Sequence, residues 1–278
     1  MINKIDIENI TPYQEINKVL LTISNDINHI LGNNLIGLYL FGSLTYGDFN
    51  LDSSDIDLVT ITSKPLNQDE LELIKQLHKK IEHQYPKWKD RLECSYTPVD
   101  MLKNILPPKE ARPYYGGEVF YDEAPYGNEW IINNYLLYQH AIPLIGPDCK
   151  ELINPIDIIE VQKASIRDLF QEWEPKITDV EWLDNSHYQS YLVMNLCRIL
   201  YTVFCATSGS KKISAAWVKY EFGLPWSNLI VTAESWKYGK KMSLKNETID
   251  FIKFTIDKIK QTALYQQMYP KLGVNDTL

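Results

Sequence analysis

Two carboxylates lie two residues apart at the start of an apolar segment, in Asp55-Ile-Asp57 followed by Leu-Val-Thr-Ile. In a β-strand, side chains at i and i+2 project from the same face, so Asp55 and Asp57 should lie side by side. Ile56 and Leu58 should then enter the core. Two neighbouring anions need a cation between them, and hard oxygen ligands with open positions suit Mg²⁺ bound jointly with a triphosphate. The spacing therefore predicts a metal and phosphate site.

A glycine turn precedes this pair by eleven residues, at Gly42-Ser43. Backbone N–H groups and the Ser43 hydroxyl can approach phosphate oxygens there, because Gly42 has no side chain to obstruct them. A P-loop is excluded, since no Gly-Lys-Ser/Thr sequence follows. We expect phosphate and metal to be held on adjoining loops.

A third carboxylate is expected from a neighbouring strand, and Glu93 within 91–97 supplies one. Leu92 and Cys94 would face the core, which leaves Glu93 on the opposite face. Transfer of a nucleotidyl group to a hydroxyl requires a base near the attacking oxygen. A structural glutamate on an exposed strand face is the alternative interpretation.

An isolated Asp-x-Asp pair more often caps a turn than binds a metal, but here its context is specific. A strand ending in Phe-Gly-Ser, a Gly/Asp/Asn-rich link and an Asp-h-Asp-h strand, where h is an apolar residue, resemble the nucleotidyltransferase superfamily built like DNA polymerase beta. The order of motifs along the chain is similar to that in the bacterial aminoglycoside (3'')(9) adenylyltransferase family. These motifs are Leu38–Ser43, Ser54–Leu58, Leu144–Pro147, Glu151–Pro155, Leu196–Tyr201 and Ala215–Trp217.

This resemblance implies an enzyme that transfers AMP from ATP, with Mg²⁺, to a hydroxyl of spectinomycin, streptomycin or both, giving antibiotic resistance. It implies these roles: Asp55 and Asp57 as magnesium ligands, Glu93 as general base, Ser43 and Ser54 near the triphosphate, Arg198 and Lys211 at the nucleotide, and Asp184 at the acceptor. From the residues alone, Arg198 lies among apolar neighbours and would need a partner if buried. Lys211 alone would be interpreted as a solvated loop lysine.

The periodicity predicts an α+β protein with a mixed β-sheet flanked by helices, followed by an all-α helical bundle. A nucleotidyltransferase domain is expected over 1–155 and the helical domain over 156–278. In the first domain we expect a helix capped by Thr11 and ending at Gly32, strands over 35–41, 56–62 and 91–97, a helix over 68–83, and an irregular excursion over 107–128. In the second we expect helices near 156–174, 187–207, 212–222, 226–238 and 245–268.

The chain has 278 residues, with 45% apolar and 23% charged residues and a net charge of −8. This balance is typical of a globular protein and argues against nucleic-acid binding, which needs clustered positive charge. A small cationic acceptor fits better. Acidic residues near the expected cleft are Glu118, Asp122, Glu123, Glu129, Glu181 and Asp184. We expect a cytoplasmic protein, because the first ten residues lack an apolar segment and no run is long enough to cross a bilayer. The four cysteines lie far apart without CxxC spacing and are expected to be reduced. We also expect a monomer.

Two other functions are consistent with this fold. The first is a nucleotidyltransferase that acts on another small molecule or on a protein hydroxyl. The long helical extension argues against a protein acceptor. A non-catalytic nucleotide sensor is the other, and the complete set of Ser43, Asp55, Asp57 and Glu93 argues against it. Incubation with a panel of acceptors would distinguish these functions.

Overall fold

A computed structural model describes residues 6–117 and 119–270. The chain divides into two compact units, Met1–Ile156 and Asp157–Leu278. Within the described residues, no helix is both long enough and apolar enough to cross a membrane.

The first unit is built on a six-stranded mixed sheet in the order β5-β4-β3-β2-β1-β6. Strands β2 and β3 are parallel, and the other neighbouring pairs are antiparallel. Its elements are α1 (Gln14–Leu31), β1 (Leu35–Phe41), β2 (Ile56–Thr62), α2 (Gln68–Gln84), β3 (Leu92–Pro98), β4 (Arg112–Gly116), β5 (Val119–Ala124), α3 (Glu129–His140) and β6 (Ile142–Ile145). The predicted mixed sheet is confirmed.

The first helix forms as predicted and ends at Gly32, but the prediction that Thr11 caps it is wrong. The N-cap is Tyr13, whose side chain makes no capping bond. The Thr11 hydroxyl instead donates to Asn17 Oδ1 at 2.6 Å, and Asn17 Nδ2 donates to the carbonyls of Glu8 and Thr11. The buried Asn17 of α1 thus holds the segment before the helix in place through hydrogen bonds to Glu8 and Thr11.

The irregular excursion predicted over 107–128 is also wrong, because most of it forms a β-hairpin. Strands β4 and β5 pair through Gly116 and Val119 and extend the sheet beyond β3. Pro113 lies where the register between β4 and β5 is irregular, between Arg112 and Tyr114, and a bulge is one of the strand positions that tolerate proline. Helix α3 and strand β6 follow, and neither was predicted.

Helix α2 packs a buried histidine against the hairpin. His78 stacks on Tyr115 with ring centroids 4.0 Å apart, and its Nε2 lies 2.7 Å from the Tyr96 hydroxyl. Burial lowers the pKa of His78 from 6.5 to about 3. Between pH 6.5 and about 3, His78 is therefore mostly neutral in the folded chain and mostly protonated in the unfolded chain.

We expect this histidine to make the protein less stable as pH falls from 6.5 towards 3. In this window the unfolded state holds more protons, so the free energy of unfolding falls by up to about 1.36 kcal/mol per pH unit from this group. Urea unfolding of the wild type and of His78→Phe at several pH values measures how the free energy of unfolding depends on pH. The variant should show a shallower slope, and equal slopes would contradict the assignment.

The second unit is all-helical, as predicted. Its helices are α4 (Ile158–Asp168), α5 (Ser186–Cys205), α6 (Lys211–Phe222), α7 (Trp226–Glu234), α8 (Lys245–Lys260) and α9 (Ala263–Met268). The single helix predicted over 245–268 is two helices, because Thr262 caps a new start with its hydroxyl accepting from the Tyr265 N–H at 3.2 Å. The helix predicted to 174 leaves α-geometry after Asp168 and continues as a π-turn, Leu169–Trp173. All four cysteines are free.

Candidate active site

The end of β1 and the starts of β2 and β3 are neighbours in the sheet, and they carry residues that were predicted to form the site. Asp57, at the start of β2, pairs with Phe41 at the end of β1 and with Glu93 at the start of β3. Directly paired residues of parallel strands project from the same face. Ile56 and Leu58 are buried as predicted, whereas Asp57 and Glu93 are half-buried. The strand register thus places these two carboxylates side by side on the face opposite the core.

The glycine turn touches one of these carboxylates. Gly42 has φ +69° and begins a single 3₁₀ turn, Gly42–Leu44, whose first carbonyl accepts from the Thr45 N–H at 3.0 Å. A Cβ at Gly42 would overlap Asp57 Oδ2. Only glycine therefore allows the turn and the Asp57 carboxylate to occupy their positions together.

Gly42→Ala should strongly reduce activity, because the new methyl group must displace the Asp57 carboxylate. Gly47→Ala is a matched control. Gly47 has φ +82°, so alanine there meets a similar backbone strain of about 1–2 kcal/mol, but its Cβ would meet no atom within 4 Å. Catalytic rates and melting temperatures of both variants provide the measurement. Equal activity losses in both would show that strain, and not the Asp57 contact, is responsible.

The segment before Asp55 is held by a buried arginine. The Arg91 guanidinium packs on the Trp88 ring at 4.6 Å and donates to the carbonyls of Ser54 and Leu51. The Arg91 carbonyl accepts from the Ile56 N–H at 2.7 Å. Arg91 therefore fixes the backbone on both sides of Asp55. No sequence pattern indicated this role for Arg91.

The two serines assigned to the triphosphate lie in the loop that joins β1 to β2. Ser43 is half-buried in the glycine turn, and its carbonyl accepts from the Asp48 N–H at 3.2 Å. Ser54 is also half-buried, and its hydroxyl accepts from the Asn50 N–H at 3.0 Å. Local hydrogen bonds thus order this loop at both of its ends.

Glu93 has a hydrogen-bond donor that sequence reasoning missed. The Tyr114 hydroxyl, on the neighbouring strand β4, donates to Glu93 Oε2 at 2.8 Å. Two residues along β3, Ser95 Oγ lies 2.8 Å from the Tyr126 hydroxyl and 2.7 Å from Thr97 Oγ1. Tyr114 and Tyr115 are of a residue type that is common in strands, and the Gly116-Gly117 pair after them is typical of a hairpin turn. This short sequence was the available signal for a strand beside Glu93.

The donor set fits a magnesium ion that is shared with a nucleotide. Among residues 6–117 and 119–270, no cluster of three or more His, Cys, Asp or Glu side chains could hold a metal. Where proteins bind magnesium together with a nucleotide, the ion is typically held by one or two carboxylates and by the phosphates, and not by an all-protein cage. Asp55 and Asp57 provide hard anionic oxygens, and the Gly42 backbone leaves space for the Asp57 carboxylate.

The remaining predicted residues belong to the second unit. Arg198 is half-buried on α5 between the buried Cys197 and Ile199. Lys211 is the first residue of α6 and not a loop lysine, and its Nζ lies 5.4 Å from the Tyr191 ring centroid. Asp184 is exposed and forms an ion pair with Lys245 at 2.6 Å.

Two of the other acidic residues named from the sequence have local partners. Glu118 lies outside the described residues. Asp122 pairs with Lys75 at 2.7 Å, and Glu129 accepts from the Gly127 N–H at 2.9 Å. Local partners therefore account for these two carboxylates.

The fold is that of an α+β nucleotidyltransferase. A nucleotidyltransferase domain family model matches residues 22–107, and a model of the aminoglycoside adenylyltransferase C-terminal domain matches residues 151–262. The chain belongs to the aminoglycoside adenylyltransferase family and is an enzyme of that type.

Two relatives extend over most of the chain. It is 28% identical over 249 residues to a spectinomycin 9-adenylyltransferase of Campylobacter jejuni, covering 85% of this chain and 89% of that protein. A crystal structure of a spectinomycin adenyltransferase, AAD(9), from Enterococcus faecialis with ATP and spectinomycin superposes with a TM-score of 0.68. It is 18% identical and covers 86% of this chain and 98% of that one. That structural likeness shows a shared fold.

Proposed function

We propose that this enzyme transfers AMP from ATP to a hydroxyl of spectinomycin, with Mg²⁺ as cofactor. The observation that carries the proposal is the pairing of Asp57 with Glu93 on adjacent parallel strands beside the Gly42 turn. That arrangement gives the proposed metal ligand Asp57 and the proposed base Glu93 neighbouring positions on one face. Both spectinomycin-named relatives support this choice of acceptor.

In the proposed reaction the acceptor oxygen forms a bond to the α-phosphorus of ATP, and the bond from that phosphorus to the bridging oxygen of pyrophosphate breaks. Glu93 accepts the hydroxyl proton as attack proceeds, and pyrophosphate leaves. Asp55 and Asp57 would hold Mg²⁺, which neutralises charge on the phosphate oxygens. Ser43, Ser54 and backbone N–H groups of the turn bind the triphosphate.

Residues of the second unit are proposed to complete the nucleotide and acceptor contacts. Arg198 and Lys211 supply positive charge for the triphosphate, and Asp184 supplies negative charge for a cationic acceptor. Because the Asp184 carboxylate is paired with Lys245, acceptor binding at Asp184 would have to compete with that exposed ion pair. Such exposed pairs contribute only about 0.2–1 kcal/mol, so the competition costs little.

The proposal is tested by incubating the purified enzyme with ATP, Mg²⁺ and either spectinomycin or streptomycin, and by measuring pyrophosphate release and the mass of the antibiotic. We expect release and a mass gain of one AMP with spectinomycin. Asp57→Asn enzyme is the control for contaminating activity. The absence of transfer to spectinomycin, or AMP appearing only on streptomycin or on a protein, would contradict the proposed acceptor.

A further inference from the structure

One hydroxyl bonds to the proposed base from outside the predicted site. Tyr114 lies on β4, opposite Ser95 of β3, so its ring crosses to the neighbouring strand and reaches Glu93 at 2.8 Å. A hydroxyl that donates to a carboxylate forms a charge-assisted hydrogen bond, which is stronger and more directional than a neutral one. Such a bond restricts the rotamers of a glutamate side chain, which has three torsions.

The Tyr114 ring is itself held in place on several sides. The Arg112 guanidinium carbon lies 5.2 Å from its centroid, and the Tyr121 ring stacks at 6.4 Å. Gly116, two residues along the same strand face, leaves the space that the ring fills. A Cβ there would lie 2.7 Å from the Tyr114 hydroxyl oxygen and 2.8 Å from its ring. A restrained ring makes the hydroxyl a fixed donor and not an adaptable one.

We infer that Tyr114 is a positioning residue, whose hydroxyl orients the Glu93 carboxylate towards the attacking hydroxyl of the acceptor. The inference rests on the proposed role of Glu93 as base. Its physical basis is that a proton acceptor works only within a narrow range of distance and direction. The β4–β5 hairpin thereby becomes part of the reaction machinery, although it carries none of the residues that the resemblance assigned to the base, the metal or the nucleotide.

Tyr114→Phe should lower kcat roughly 10- to 100-fold, since displacement of a catalytic group by about 1 Å can cost about 100-fold. The KM values for ATP and acceptor should change less than about twofold, because the hydroxyl orients the base and does not hold either substrate. Gly116→Ala should lower kcat in the same way by displacing the ring, although it leaves Tyr114 in the chain.

The adjacent tyrosine provides a matched control. Tyr115 lies on the opposite face of β4 and is buried, and its hydroxyl donates to another glutamate, Glu82 Oε1, at 2.6 Å. Tyr115→Phe therefore removes the same kind of hydrogen bond from the core side. It should lower the melting temperature but leave kcat within about twofold of wild type.

A double-mutant comparison tests whether Tyr114 acts through Glu93. In a Glu93→Asp background the shortened carboxylate no longer reaches the Tyr114 hydroxyl, so adding Tyr114→Phe should lower kcat by less than about twofold further. The inference is overturned if Tyr114→Phe keeps wild-type kcat, if its effect persists in the Glu93→Asp background, or if Tyr115→Phe lowers kcat equally. If Glu93→Gln itself retains full activity, the proposed base is wrong as well, which separates the two failures.

Discussion

Asp57→Asn should reduce magnesium-dependent AMP transfer by about 10³-fold or more, with little change in the melting temperature. Asparagine keeps the volume of the side chain but removes the anionic oxygens, so the several kcal/mol of charge stabilisation that a bound metal supplies are lost. Asp55→Asn should behave similarly. Initial rates of pyrophosphate release across a magnesium titration provide the measurement.

The matched control for this change is Asp26→Asn. Asp26 is a surface residue of α1 that pairs with Lys80 at 2.7 Å. Its loss should leave the rate unchanged and cost at most about 1 kcal/mol in stability. An Asp57→Asn enzyme within tenfold of wild type at saturating magnesium would show that Asp57 is not a required metal ligand.

Glu93→Gln should lower kcat by about 10² to 10⁴, the usual contribution of a positioned general base. The acceptor hydroxyl is too weakly acidic to ionise near pH 7, so its proton must be accepted during attack. Glutamine keeps the shape of the side chain and can still accept from Tyr114, but it has no basic carboxylate. Calorimetric affinities for Mg-ATP and the acceptor should therefore change little.

Glu82→Gln is the control, because Glu82 also accepts from a tyrosine of β4 but lies on the core side. It should leave kcat unchanged. A different outcome would reassign Glu93: if Glu93→Gln loses Mg-ATP binding as severely as Asp57→Asn, Glu93 is a third metal ligand and the base lies elsewhere.

The central strands were predictable because their sequences are short apolar runs with clear limits. Strands β1 and β2 occupy the predicted residues, and β3 is displaced by one residue. The acidic residues at their ends were identified by the same alternation, since a half-buried carboxylate between two buried apolar residues marks the face opposite the core. The choice of family then depended on motifs further along the chain.

The hairpin and helix α3 were missed for physical reasons. Strand β5 is mostly exposed, so tertiary pairing and not an apolar run determines it. Helix α3 carries polar and apolar residues on all sides and has no amphipathic stripe. The Tyr114–Glu93 bond joins residues 21 positions apart. No local pattern can reveal such a contact before the neighbouring strands are known.

The pairing of Asp57 with Glu93 has a consequence for protein engineering. Their Cα atoms are neighbours in a ladder of peptide hydrogen bonds, so strand geometry and not side-chain packing sets the spacing between them. A deletion of one residue within 56–62 or 92–98 would turn one carboxylate into the core. A library aimed at new acceptors should therefore keep the lengths of these two strands fixed and vary residues in loops and exposed strand positions outside them.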